Sequence, residues 1–212
     1  MGDHTAFFYG TLMAPAVLHR VIHGTSTPTP FQRSLLTIRP ALLHRFQRHK
    51  VRSADYPAIL PANSTTAVRG TLVTGLTDGD IWRLDIFEGH EYARRQVSVK
   101  VLVEEGEGIG AVGVDGQVAG EDEVAEGAEV QAEVYVWVAG KERLEPQEWD
   151  FGEFVRQKMG RWVGTGAEGE YADVDDAVAA QDPTGGRGAN GSITKSLEEG
   201  NGKAKELVES AV

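Results

Sequence analysis

A chain of 212 residues is long enough for one domain with a sizeable core and sequence to spare. Its 21 Lys and Arg against 32 Asp and Glu leave a formal charge of −11. That argues against nucleic acid or an anionic membrane, which want a basic face, but not against a small anion held by local backbone dipoles. There is no cysteine, which rules out disulfides and thiolate nucleophiles and allows a reducing compartment. No apolar run approaches the roughly 20 residues of a membrane span. Met1-Gly2-Asp3-His4 has no basic n-region, and Ala6 stands where N-myristoylation favours Ser or Thr. The expectation is a soluble, cytoplasmic protein with neither a nucleic-acid nor a membrane partner.

Residues 5–9 read as a short buried strand. Pro15 sits at a first helical position, Val17, Leu18, Val21 and Ile22 follow at helical spacing, and Gly24 closes the helix. Pro28 and Pro30 mark a loop. Residues 34–60 hold short β-prone runs broken by Pro40 and Pro57, and residues 67–76 alternate as a strand. Thr77 or Asp78 caps a helix over about 79–88, with Ile81, Trp82, Leu84 and Phe87 as its apolar positions. Residues 95–104 alternate cleanly, with Val97, Val99, Val101 and Val103 on one face and Ser98, Lys100 and Leu102 on the other. Residues 105–129 read as a Gly- and Glu-rich insertion. The next strand spans 129–139, and Pro146 opens a helix running to about Val163. The acidic, Gly-rich sequence from 166 is expected to be largely disordered, with room for a short helix over about 203–211. The predicted division is a domain over 1–165 and a tail over 166–212. Strands outnumber helices and do not alternate with them, which favours an α+β fold: a mixed or antiparallel closed sheet with a few flanking helices.

Two stretches bear chemistry. In Tyr9-Gly10-Thr11-Leu12 a strand enters a glycine turn. Glycine permits positive φ and close backbone approach, and consecutive N–H groups there form an anion nest at a helix start. The same pattern is also an ordinary connection. Glu88 ends an amphipathic run, and partial burial would raise its pKa toward that of a useful general base. Asp85, three residues earlier, shares its face and would raise it further; two solvated acids at a helix end are the alternative. Tyr92, Arg94 and Arg95 enter a strand from which they could bind a carboxylate or lock Glu88. Tyr56 and Tyr135 read first as packing residues. His19 and His23 stand four apart but lack a third ligand nearby, so no metal is expected. There is no P-loop, GxGxxG or GxSxG.

Phe8-Tyr9-Gly10-Thr11-Leu12, Tyr56-Pro57-Ala58, Val68-Arg69-Gly70-Thr71-Leu72, residues 84–94 from Leu84-Asp85 to Ala93-Arg94, and Val134-Tyr135-Val136-Trp137 occur in one order. In this order and spacing the chain resembles the gamma-glutamylcyclotransferase-like superfamily, in particular its avirulence-induced-gene branch of fungi and plants. The likeness covers about residues 5–163. It implies a small mixed β-barrel with flanking helices and a cofactor-independent release of an amine or amino acid from a small γ-glutamyl substrate, giving 5-oxoproline. It puts the catalytic glutamate on Glu88, the substrate-holding loop on Tyr9, Gly10, Thr11 and Leu12, and a further substrate-binding tyrosine on Tyr92. A non-catalytic binder of a small carboxylate is the alternative. The insertion and the tail lie outside the likeness. The insertion is expected to reshape the pocket mouth, and deletion beyond about residue 165 to leave turnover intact.

Overall fold

The computed structural model describes residues 2–104, 124–163 and 168–180. Five strands form a closed barrel in the order β1-β5-β2-β6-β7. They are β1 (His4–Phe8), β2 (Thr37–His44), β5 (Ala67–Leu76), β6 (Tyr92–Glu104) and β7 (Val124–Trp137). Neighbours pair antiparallel except where β7 closes on β1 in parallel, Ala6 opposite Glu133. The expected α+β fold with a small mixed barrel is the one observed. Two further strands, β3 (Phe46–Lys50) and β4 (Pro57–Pro61), make a separate antiparallel ribbon.

Alternation along β1 sorts the core. Phe7 joins Leu43, Val68, Leu72, Val99 and Val134 inside the barrel. Ala6 and Phe8 face the helices, where they meet Val17, Leu18, Leu84, Phe154 and Trp162. Helix α1 (Pro15–His23) begins at Pro15 and ends at Gly24, whose φ of 69° is a left-handed cap, as its sequence predicts. A short α2 (Pro30–Ser34), boxed by Thr29 and Gln32, occupies the end of the expected loop. Helix α3 (Asp78–Glu88) opens on a capping box between Thr77 and Asp80. The last predicted helix starts later than Pro146: α4 (Phe151–Glu153), a π-helical turn (Phe154–Lys158) and α5 (Met159–Val163) run on from an Asp150 cap.

Three expectations change. The register of β6 against β7 shifts between Lys100 and Leu102, so Leu102 turns in at 9% exposure and Val103 turns out at 40%. Residues 124–129, assigned to the insertion, belong to β7; residues 105–123 lie outside the described residues. Glu104 pairs with Val124, whereas Tyr92 pairs with Trp137, so the insertion is rooted about 40 Å of strand from Tyr92. Third, the packed chain continues past residue 165. Helix α6 (Glu168–Ala180) lies against α3, burying Tyr171, Val174 and Val178. Their i, i+3, i+7 spacing offsets the acidic surroundings that suggest disorder. The helix expected over 203–211 lies outside the described residues.

Candidate active site

Strand β1 delivers the first half of the site. Tyr9 is buried, and its hydroxyl donates to the Tyr135 carbonyl at 2.7 Å, fixing the strand end against β7. Beyond it the Met13 N–H donates to the Gly10 carbonyl and the Ala14 N–H to that of Thr11, both at 3.0 Å, winding a 3-10 turn over Thr11–Met13. The N–H groups of Thr11 and Leu12 open that turn and have no acceptor within it. Gly10 has φ −126° and ψ −141°, so positive φ is not its reason. A Cβ there would stand 2.9 Å from the Pro57 ring, so the glycine serves close approach to β4.

Helix α3 delivers the second half. Ile81, Leu84 and the fully buried Arg83 hold it against the core, Arg83 donating to the Ile22 carbonyl at 3.1 Å. Glu88 is its last residue, followed by Gly89 at φ 64°. A cavity of about 280 Å³ brings Glu88 together with Tyr9, Gly10, Thr11, Leu12 and Tyr92. The six residues to which the resemblance assigns a role therefore line one space; Asp85, Arg94 and Arg95 do not. Glu88 is half-buried in the cavity wall, and its carboxyl accepts no hydrogen bond from a described residue. Burial first, and then the Asp85 carboxylate, push its pKa up to about 8.

Three tyrosines brace the walls. Burial holds the hydroxyls of Tyr9, Tyr92 and Tyr135 far above their ordinary range, so all three stay protonated and donate. Tyr92 donates to the Pro57 carbonyl at 2.9 Å and sets its ring edge-on to Trp137 at 5.2 Å. Tyr135 donates to Asp85 Oδ1 at 2.8 Å. Arg94 does not lock Glu88; it binds Asp85 through Nε at 3.0 Å and pairs with Glu133. Tyr56 lines the cavity too, and its hydroxyl reaches Glu91 at 3.3 Å. Residues to which the sequence assigns no site role complete the wall: Phe87 and Glu91 from the 84–94 motif, Trp162 from α5, and Gly169, Glu170 and Asp173 from α6. The aromatic spacing of Trp149, Phe154 and Trp162 signals a buried helix, but nothing local aims Trp162 at a pocket.

Four carboxylates thus line the cavity, Glu88, Glu91, Glu170 and Asp173, and the described lining includes no Lys, Arg or His. Glu91 is neutralised by Arg143. Among the described residues no group of three or more His, Cys, Asp or Glu side chains could hold a metal ion, and His19 and His23 stack on each other at 5.3 Å. No helix of the described residues is long and apolar enough to cross a membrane.

Fold and cavity together define a small mixed barrel with one ligand-sized space walled by a protonatable acid and a backbone turn. Over residues 6–151 the chain matches the model of the gamma-glutamyl cyclotransferase, AIG2-like family, and it belongs to that family. It is 28% identical over 152 residues to Protein AIG2 C of Arabidopsis thaliana, covering 72% of each chain. The solution structure of another Arabidopsis thaliana protein overlaps it with a TM-score of 0.46 at 25% identity, over 86% of this chain and 87% of that one. A yeast gamma-glutamyl cyclotransferase specific to glutathione overlaps with a TM-score of 0.43 at 12% identity, over 85% and 89%. Overlaps this loose add nothing to the family match.

Proposed function

We propose that the protein is a γ-glutamyl cyclotransferase that releases an amine or amino acid from a γ-glutamyl compound and leaves 5-oxoproline. The observation that carries this reading is the Glu88 carboxyl, set in the cavity wall, without a hydrogen-bond partner among the described residues and raised to about 8, in the same cavity as the Tyr9–Leu12 turn. An α-ammonium group likewise titrates on the alkaline side of neutrality, so a proton can pass between it and Glu88. Glu88 takes that proton. The freed amine attacks the γ-carbonyl carbon, forming the ring C–N bond, and the tetrahedral intermediate collapses with cleavage of the bond to the leaving nitrogen. Glu88 returns the proton to that nitrogen, then takes the second proton that the attacking nitrogen sheds as it becomes the ring amide and passes it to the departing amine, so no water or cofactor is consumed. The turn N–H groups hold the glutamyl moiety and meet the charge that grows on the γ-oxygen. Ring closure gains chiefly from holding amine and carbonyl at near-attack distance. A simple binder of small carboxylates would gain nothing from an acid at its ligand, which disfavours that alternative.

A mass-spectrometric screen for 5-oxoproline release from a panel of γ-glutamyl compounds tests this. Glu88→Gln is expected to lower kcat at least about 10²- to 10⁴-fold while the fold and ligand affinity persist. Full activity in that variant would sink the assignment.

A further inference from the structure

The ligand of the proposed reaction carries a carboxylate, yet it must enter a cavity lined by four acids and, among its described lining, by no basic side chain. The attraction has to come from backbone N–H groups and from charge placed behind them. Resting on the cyclotransferase reading for its ligand, we propose that Arg48 is a positioning residue: it turns the Gly10 N–H into the cavity and supplies the positive potential with which the turn holds the glutamyl carboxylate.

The argument is one of peptide geometry. In a planar trans peptide the C=O and the following N–H point in opposite directions, and the described residues contain no cis bond. Arg48, on β3, donates through Nη1 to the Tyr9 carbonyl at 3.0 Å. The same nitrogen reaches the Arg69 carbonyl of β5 at 3.3 Å, so one guanidinium ties the strand end to the barrel. Tyr9 and Gly10 line the cavity and Arg48 does not. The carbonyl is therefore drawn to the back of the turn, and the Gly10 N–H is left on the cavity side.

The guanidinium is held firmly. Its side chain is only 12% exposed, Nη2 donates to Glu148 at 2.9 Å, and the Trp149 ring lies 5.7 Å away. Glu148 is 64% exposed and screened by water, so it offsets the charge only in part. A charged donor on a carbonyl also polarises its peptide, which strengthens the N–H at the other end.

The test uses the full chain and two probes, 5-oxoproline and its uncharged amide, with Kd measured by calorimetry. Arg48→Met is expected to weaken 5-oxoproline about tenfold or more and the amide by much less. Arg48→Lys keeps the charge but not the fork, and is expected to recover part of the loss with the same carboxylate selectivity. It also serves as the readout if Arg48→Met fails to fold. With a γ-glutamyl substrate, KM should rise by more than kcat falls. Equal weakening of both probes, or of neither, overturns the proposal, as does wild-type protein that binds neither. Carboxylate-selective binding that depends on Arg48, without 5-oxoproline release from any γ-glutamyl compound, would defeat the cyclotransferase reading and leave Arg48's role standing. Turnover with binding indifferent to Arg48 would do the reverse.

Discussion

At pH 7 most of the Glu88 population carries its proton, because burial and Asp85 raise its pKa to about 8. A base in that state is awakened by alkali. Turnover limited by Glu88 should therefore climb about tenfold per pH unit below 8 and level above it. Asp85→Asn removes the neighbouring charge while preserving an acceptor for the Tyr135 hydroxyl, so it should move that limb to lower pH. A profile that does not move would show that Asp85 does not tune the site. The same group tilts stability. Folded Glu88 binds its proton more tightly than the unfolded residue, at about 8 against 4.5, so protons favour the fold. Melting temperature should accordingly fall as pH rises from 4.5 through 8, and Glu88→Gln should flatten that part of the slope. A raised pKa of this kind is foreseeable from a carboxylate at the apolar end of a helix. The role of Arg48 is not, because nothing in Phe46–Lys50 announces the Tyr9 carbonyl, just beyond β1, as its target.

At the scale of elements, α6 is the piece that most alters the cavity. Tyr171 anchors it: the ring stacks on Phe87 at 5.8 Å, lies beneath Arg20 at 4.5 Å, and its hydroxyl donates to the Trp162 carbonyl at 2.8 Å. Arg20 also grips Asp175 through both guanidinium nitrogens, the Nη1 contact being 2.9 Å. Tyr171→Phe should cost about 1 kcal/mol, the value of one buried hydrogen bond. Tyr171→Ala should cost about 3–5 kcal/mol in denaturant melts and speed hydrogen exchange across residues 168–180 more than in the barrel. Uniform exchange throughout would show that the helix is not a separable wall. Capped elements such as α1 and α3 are legible in sequence because Pro15, Gly24 and Thr77 declare their ends, although the buried face of α3 carries Asp80 and Arg83. Helix α6 shows only three apolar residues among acids and alanines, and its burial depends on Trp162 and Phe87 arriving from elsewhere.

For the whole molecule, the place where the chain can be cut shifts. A chain ending at residue 180 should keep the melting temperature and KM of the full protein. One ending at 165 loses Glu170 and Asp173 from the cavity and uncovers Trp162 and Phe87, so its melting temperature should fall and its KM rise. Equal behaviour of the two truncations would return the functional boundary to 165. Barrel strands reveal themselves through alternation, as in β6, but the bulge near Leu102 and Val103 lies in β7, where Gly127 and Ala128 stand against Val101, and its mark in the sequence is Gly127 alone. Closure of the barrel by β1 on β7 also sets a timetable. Strand β1 leaves the ribosome on the order of ten seconds before its partner Val124–Trp137 at ordinary rates of synthesis. Through that interval Phe7 has no complete barrel to enter. A nascent chain stalled before residue 124 should be a client of chaperones rather than a ligand-competent intermediate.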